Sequence, residues 1–397
     1  MNILHSFIVF SIEIGSGTSE FMYQICKAQA KAGLKPTILS GSYAFDQALA
    51  DSLDGVDFHE EKTYLHKQGF SLMPGLVLWC RNNLHQYDVV HMHVYRTFQN
   101  LVLYYYCRKY NIPYVMDAHG SVPYFTKKNF IKKIFDKFIG KSILKNANVL
   151  LAETEVGEDE YINLDKTINK NKIIILSPPF DTDEYLKLPK KGDFRKKYNI
   201  SLDEKVISFL GRVHYIKGND FLIKGFAEFA KCNQNSKLVI IGPDDGHMVE
   251  CKKIVDDLGI KDRVIFTGFL GGEYKNSALV DSDIVVQLSR QEQGAWAPLE
   301  AVLCETPIVV TRHTGTGEDI KRLNAGSLVD FDDVNGLSNI FTNIFDNYDS
   351  AMDKTLQAKQ YIEQHLSFNC RVGEYTDIYN NSIENKLFNA IIIDISI

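Results

Sequence analysis

Short, uninterrupted apolar runs recur along the chain, separated by stretches in which apolar residues return every three or four positions. The first set is ILHSFIVF, PTILSG, YDVVHMHV, PYVMDAHG and NVLLAET; the second is KVISFLG, KLVIIG, RVIFTG, DIVVQLS, PIVVT and GSLVDF. Runs of this kind read as strands buried on both faces, and the patterns between them as helices covering parallel sheets. Between the sets lies LSPPFDTDEYLKLPKKGD, with three prolines and no periodicity, which predicts a linker near 177–193. The tail 354–383 reads as helix and carries Tyr361, Phe368, Tyr375 and Tyr379. The expected architecture is α/β, with two Rossmann-like domains, 1–180 plus 370–397 and 190–369, whose strand ends border a cleft.

Length agrees, since 397 residues exceed one ordinary core. The net charge of −6 argues against nucleic acid as a partner. The start, MNILHSFIVFSIEIGSG, lacks a basic leader and a clear cleavage site and reads as a strand and its loop. No apolar run approaches the roughly 20 residues that span a bilayer. Seven widely spaced cysteines, none in C-x-x-C, fit a reduced, cytoplasmic setting.

The candidate chemistry sits at predicted strand ends. Gly15-Ser16-Gly17 follows the first strand and is expected to be a tight turn opening a helix, where amides favour an anion. A dinucleotide fingerprint would need glycine at Glu20 and an acid at Ser40 or Gly41, so an NAD oxidoreductase is disfavoured. The turn Gly211–Gly218 holds Arg212 and Lys217, a planar fork of donors and a compact charge that suit a diphosphate; the plainer reading is two solvated cations. His91 and His93 share one side of a strand, yet no carboxylate or cysteine cluster completes a metal site, and none is expected. His119 ends its strand before Gly120, where it could donate to a substrate hydroxyl or to developing negative charge, or simply be packed. The D-x-D pairs at 181/183, 281/283 and 330/332 are read as chance. The segment 127–145 sets seven lysines and one acid against Phe130, Ile131, Ile134, Phe135, Phe138 and Ile139. An anionic membrane surface is a candidate partner for it, and a helix packed on its own domain is the commoner meaning.

The stretch SRQEQGAWAPLEA (289–301) places Glu292 and Glu300 eight residues apart around Gly294 and Pro298. Pro298 suits a first helical position, so the amides of Ala297, Pro298's successor Leu299 and Glu300 would offer a phosphate cradle. Glu300 could hold a ribose diol and Glu292 the group beyond the diphosphate; the plainer reading is two glutamates capping a helix.

Through FLGRVHYIKG, LVIIGPDDG, VIFTGFLGGEYK, SRQEQGAWAPLEAVLCETPIVV and GTGEDI…NAGSLV, residues 205–345 resemble the large retaining glycosyltransferase family 4, of GT-B fold. The first half resembles it more weakly, through Gly15-Ser16-Gly17, DVVHMH and DAHG, and the aromatic tail resembles a final helix that crosses back to the first domain. The resemblance implies Arg212, Lys217 and Gly17 at the donor diphosphate, Glu300 at the ribose, and Glu292 and His119 as catalytic residues at the transferred sugar. It implies backbone contacts from Gly294, Ala297, Pro298 and Leu299, with Thr316 and Glu318 bordering the site. The implied reaction moves a sugar from a nucleoside diphosphate, UDP-linked in preference to GDP-mannose, with retention and with no required cofactor or metal. The leaving phosphate oxygen would deprotonate the acceptor, a covalent role for Glu292 being less favoured. The acceptor would be a glycan or lipid-linked molecule of cell-surface polysaccharide or glycolipid synthesis, met by loops near 42–75 and 120–130. That places the protein in the cytoplasm, with the inner face of the plasma membrane a further candidate location. Two departures stand out: Glu292-Gln293-Gly294-Ala295 replaces the usual Glu-Gly-Phe-Gly, and Ser16 splits the paired glycines. The rival readings are a GT-B sugar-nucleotide epimerase and a non-catalytic scaffold of the same fold.

Overall fold

The computed structural model describes residues 1–67, 70–124, 129–177, 179–294 and 296–395. The chain forms two compact units, Met1–Phe180 with Leu366–Ile397, and Asp181–His365.

The strands of the first unit's main sheet are, in chain order, β1 (Asn2–Ser6), β2 (Lys35–Gly41), β3 (Asp57–Glu61), β6 (Val89–His93), β7 (Tyr114–Asp117), β8 (Val149–Ala152) and β9 (Ile173–Ile175); a separate antiparallel pair, β4 (Leu65–Lys67) and β5 (Phe70–Leu72), intervenes. The seven are parallel and lie in the order β3-β2-β1-β6-β7-β8-β9. Every residue of β6 and β7 is buried, as two-sided cover by helices requires. The core gathers Leu4, Leu39, Val90, Met92, Leu103, Tyr114, Met116, Ile143 and Leu150. Strand order reverses between β1 and β6, which opens the usual crevice of such a sheet at their carboxyl ends. The helix Phe368–Ile395 packs into this unit, burying Tyr375 and Tyr379.

One sequence expectation changes here. The helix after β1 runs from Ile12 to Lys31 with Ser11 as its cap, so Gly15 and Gly17 are helical residues and not a turn. The reason is Ser11: its side chain accepts from Ile14 N–H and starts the helix at Ile12, ahead of both glycines. Of the basic segment, residues 127 and 128 lie outside the described residues. Asn129–Phe135 and Lys141–Asn146 are helical, joined by the wider-wound Asp136–Gly140. Its single acid, Asp136, is buried, accepting from Arg96 (2.7 Å) and Tyr124 (2.6 Å).

The second unit carries six strands, β10 (Lys205–Leu210), β11 (Ser236–Ile241), β12 (Val264–Gly268), β13 (Ile284–Gln287), β14 (Ile308–Thr311) and β15 (Ser327–Val329). They are parallel, in the order β12-β11-β10-β13-β14-β15. Phe209, Phe221, Phe226, Phe229, Ile240 and Phe341 dominate its core. The reversal falls between β10 and β13. Buried Arg195 fastens the unit's first helix, donating to Asp283 Oδ2 (2.9 Å) and to the carbonyls of Asp281 (3.0 Å), Ser201 (2.9 Å) and Glu204 (2.7 Å). The Asp281/Asp283 pair is thus occupied by the fold's own donors. Asp181 caps a short turn, and Asp330 accepts from Arg312.

Candidate functional site

In the second unit, the crevice between β10 and β13 is built by two loops that are bonded together. After β10, the chain passes through Gly211 and Arg212 to the turn Tyr215–Lys217, where His214 Nδ1 accepts from Ile216 N–H (3.1 Å). The turn ends at Gly218, with φ +67°; a Cβ there would stand 1.9 Å from the Leu288 carbonyl oxygen. Only glycine lets the β10 loop press so closely on the backbone that leaves β13. Arg290 completes the clasp: its amide donates to Ile216 O (2.8 Å), its guanidinium donates to Asp220 (2.9 and 2.6 Å), and it covers the Tyr215 ring at 3.8 Å.

This clasp brings Lys217 Nζ onto the carboxylate of Glu292, which also accepts from Ser289 Oγ (3.2 Å). The Glu292 carbonyl accepts from Gly315 N–H (2.8 Å), joining the loop to the start of the helix Gly315–Leu323. Thr311 Oγ1 donates to Ser289 O (2.7 Å). Three strand ends therefore hold one lysine–glutamate pair, partly screened from water. Arg212 points elsewhere in this arrangement, pairing with Asp245 (2.6 Å) at the surface. Thr316 is buried beside the same helix start, and its hydroxyl has no partner among the described residues.

The helix after this loop runs from Trp296 to Leu303, so Pro298 is its third residue and not its first. Proline is tolerated there because the first-turn N–H groups have no partner inside the helix. Ala295 lies outside the described residues. Pro298 and Leu299 are buried, which leaves only their backbone available to a ligand, while Gly294 and Ala297 are half-buried. Glu300 falls in the second turn. It accepts from Lys275 Nζ (2.6 Å) and Tyr185 Oη (3.2 Å). Burial first, and then the Glu300 charge, hold the Tyr185 phenol well above its usual range, so it remains a donor to that carboxylate.

His119 belongs to the first unit, in a turn just past β7, with φ +45°. Its ring Nδ1 lies 3.2 Å from Glu153 Oε1, and Nε2 lies 2.9 Å from His93 Nδ1. The expectation of a ring N–H free for a substrate hydroxyl is corrected: both nitrogens are engaged inside the fold. Burial works to lower its pKa, but Asp117, then the hydrogen bond and charge of Glu153, carry it above the ordinary histidine value. Asp117 itself, pushed up chiefly by burial, lies at about 6. Phe21 packs edge-on to His119 at 5.1 Å, one helical turn beyond Gly17.

Sequence reasoning missed Arg290, Asp220 and Lys275, whose role comes from long-range pairing, and also His5 and Glu153. His5 carried a partial signal, its place in the first apolar run; its register with His91 follows from strand order.

Comparison with known proteins now decides the family. A profile described as Glycosyltransferase Family 4 matches residues 15–184, and one described as Glycosyl transferases group 1 matches 190–362. The chain belongs to this glycosyltransferase family. An uncharacterized glycosyltransferase of Methanocaldococcus jannaschii is 29% identical over 242 residues, 59% of this chain and 60% of that protein. A D-inositol 3-phosphate glycosyltransferase of Mycolicibacterium smegmatis is 25% identical over 279 residues, 68% of this chain and 62% of that protein. The chain thus spans about 60% of the length of these curated relatives. Among solved structures, Anabaena HepE in complex with UDP and glucose superposes with a TM-score of 0.77 at 17% identity, over 95% of this chain and 99% of that one. Sucrose-phosphate synthase from Thermosynechococcus elongatus gives 0.77 at 16%, over 98% and 100%. These likenesses are of fold, and the fold of this glycosyltransferase-family chain is GT-B.

Proposed function

We propose that the protein transfers a sugar from a nucleoside diphosphate, UDP-linked in preference to GDP-mannose, to a glycan or lipid-linked acceptor, with retention at the anomeric carbon. The observation that carries this reading is the Lys217–Glu292 pair, held at the β10/β13 reversal by Gly218 and Arg290. Anionic ligands of open parallel sheets bind at such reversals. The donor preference is supported by HepE, which binds UDP and UDP-glucose on the same fold.

In this reading Lys217 leaves Glu292 for the diphosphate and stabilises the charge that grows as the sugar departs. Arg212, exposed and paired with Asp245, swings in as a second cation. Glu292, once free, accepts hydrogen bonds from sugar hydroxyls, and Glu300, oriented by Lys275 and Tyr185, accepts from the ribose diol. Amides of Gly294, Ala297 and Leu299 face the phosphates. The family resemblance also implies a role for His119 at the transferred sugar and for Gly17 at the diphosphate. No residue here must act as a covalent nucleophile, because the leaving phosphate oxygen takes the acceptor's proton.

The acceptor side is supported by the basic segment. Phe130, Ile131 and Phe138 are 75%, 65% and 76% exposed among Lys132, Lys133, Lys137, Lys141 and Lys145. Apolar tips among lysines fit an anionic bilayer surface where a lipid-linked acceptor resides. Among the described residues no helix is long and apolar enough to cross a membrane.

Calorimetric titration of UDP into wild type and Lys217→Ala tests the reading. We expect at least a tenfold loss of affinity, about 1.4 kcal/mol; equal affinities would reject the assignment of the site.

A further inference from the structure

Three imidazoles run end to end through the first unit. His5 Nδ1 lies 3.0 Å from His93 Nε2, and His93 Nδ1 lies 2.9 Å from His119 Nε2. The ring centres are 5.3 and 5.2 Å apart, with interplanar angles of 15° in both pairs. Each centre-to-centre distance exceeds its N···N distance by twice the reach from an imidazole's centre to its nitrogen, so the rings lie in line and nearly coplanar. Nitrogens that share a metal point at a common third atom, which draws their ring centres closer for the same N···N distance. The ligand atoms of His5, His91 and His93, and those of His93, Asp117 and His119, fall within 4.8 Å of one another in each group, but His5 with His93 and His93 with His119 are aimed at each other as hydrogen-bond partners.

In such a chain each ring's tautomer is set by what its other nitrogen meets. Gln29 Nε2 donates to Tyr379 Oη (3.3 Å), which donates to His91 Nδ1 (2.9 Å), so Gln29 Oε1 accepts from His5 Nε2 (2.9 Å). A neutral His5 then has only a lone pair at Nδ1, and His93 must donate to it from Nε2. A neutral His93 in turn has only a lone pair at Nδ1, and His119 must donate from Nε2. At its other nitrogen His119 faces the carboxylates of Glu153 (3.2 Å) and Asp117 (3.5 Å), which when ionised only accept. A ring that donates from both nitrogens is an imidazolium.

We propose that His5 and His93 are positioning residues that, through this chain, keep His119 an imidazolium with a fixed ring at the carboxyl edge of the first unit's sheet. The functional consequence rests on placing His119 in the transfer site. There it contributes a localised charge and the turn it anchors, with no ring N–H left to give to a substrate.

The surroundings agree. Burial holds His5 down at about 4 and His93 well below the ordinary value, so both stay neutral. The groups around His119 are Asp117 of β7, Glu153 beyond β8, His91 and His93 of β6 and His5 of β1. The helix Glu155–Leu164 adds Tyr161, and the helix Phe368–Ile395 adds Tyr375 and Tyr379, with Arg371 acting on Tyr375. The tyrosines are all driven up by burial and stay uncharged. One cost is visible: His91 Nε2 has no partner among the described residues.

The test is a long-range 15N–1H correlation spectrum of the full chain labelled with 15N-histidine, with His119 assigned from His119→Gln. At pH 7 we expect both His119 nitrogens protonated, and His5 and His93 protonated at Nε2 alone. A singly protonated His119, or His93 protonated at Nδ1 as when Gln29 is turned over, overturns the proposal, as does stoichiometric zinc in the purified protein. His93→Phe removes the acceptor and should lower the His119 titration midpoint by about one pH unit. His93→Asn, which keeps an acceptor near Nδ1, should restore it, and an unchanged midpoint in His93→Phe overturns the relay. Should His93→Phe fail to fold, the wild-type spectrum alone decides. Because the readout is the ring's own protons, an imidazolium in a protein that binds no nucleotide leaves the relay standing and removes the proposed function.

Discussion

At the scale of single residues, the Lys217–Glu292 pair defines a competition. A lysine cannot serve a carboxylate and a diphosphate equally, so on the proposed reading the ligand draws Lys217 away from Glu292. Replacing Glu292 with Gln removes the competing charge and keeps the shape. We expect UDP to bind Glu292→Gln as tightly as wild type or up to about tenfold tighter, while sugar transfer falls about a hundredfold. Calorimetry and a transfer assay on the same preparation check both halves. Weaker UDP binding in Glu292→Gln would mean that the glutamate serves the nucleotide and not the sugar. Glu300 differs because Lys275 and Tyr185 hold it. We expect Glu300→Ala to leave Lys275 without its partner and to weaken nucleoside binding as well as transfer.

At the scale of elements, Gly218 carries the close approach of two loops. A Cβ 1.9 Å from Leu288 O is incompatible with the present backbone, and φ +67° disfavours any other residue. Gly218→Ala should cost about 1–3 kcal/mol and lower the melting temperature by several degrees, about 2–4 °C per kcal/mol in a unit this size. A calorimetric melting temperature within about one degree of wild type would show that the clasp is looser than drawn. The buried histidines of β1 and β6 set a pH dependence for the first unit. His5, lowered to about 4 by burial, stays neutral in the fold while the unfolded chain takes up a proton below about 6.5. Its contribution to stability therefore falls as pH drops from 6.5 towards 4, by about 1.4 kcal/mol per unit. His91 and His93, lowered further, act in the same direction. His119, raised, does the opposite: its contribution is complete below about 6.5 and is lost as pH rises through its folded value. Melting followed from pH 7 to pH 5 should show a falling transition, and a flat profile would contradict neutral burial of these rings.

At the scale of the whole molecule, the two sheets were legible because parallel strands buried on both faces leave unbroken apolar runs, as in KVISFLG and DIVVQLS. The second unit's candidate site was legible where loops follow its strands, at Lys217 and Glu292. What joins them was not. Arg290 reaches Asp220 across 70 residues, Lys275 reaches Glu300 across 25, and His5 reaches His93 across 88. Such pairings depend on strand order, which local periodicity does not carry. Helix starts were misread for a local reason. Ser11 outweighed the glycines as a start signal, and Pro298 was accommodated inside a first turn and did not begin it. On the proposed reading the acceptor is the least encoded part, since the loops expected to meet it have no period to read.

The central claim is that this GT-B chain binds a nucleoside diphosphate at the β10/β13 reversal. The most direct measurement is thermal melting of the purified protein with UDP, GDP, ADP, NAD or buffer alone, because a ligand that binds only the folded state raises the transition. We predict a clear rise with UDP, a smaller one or none with GDP, none with NAD, and loss of the UDP effect in Lys217→Ala. No rise with any nucleotide at saturating concentration would contradict the claim and leave a scaffold that has kept the fold without its ligand.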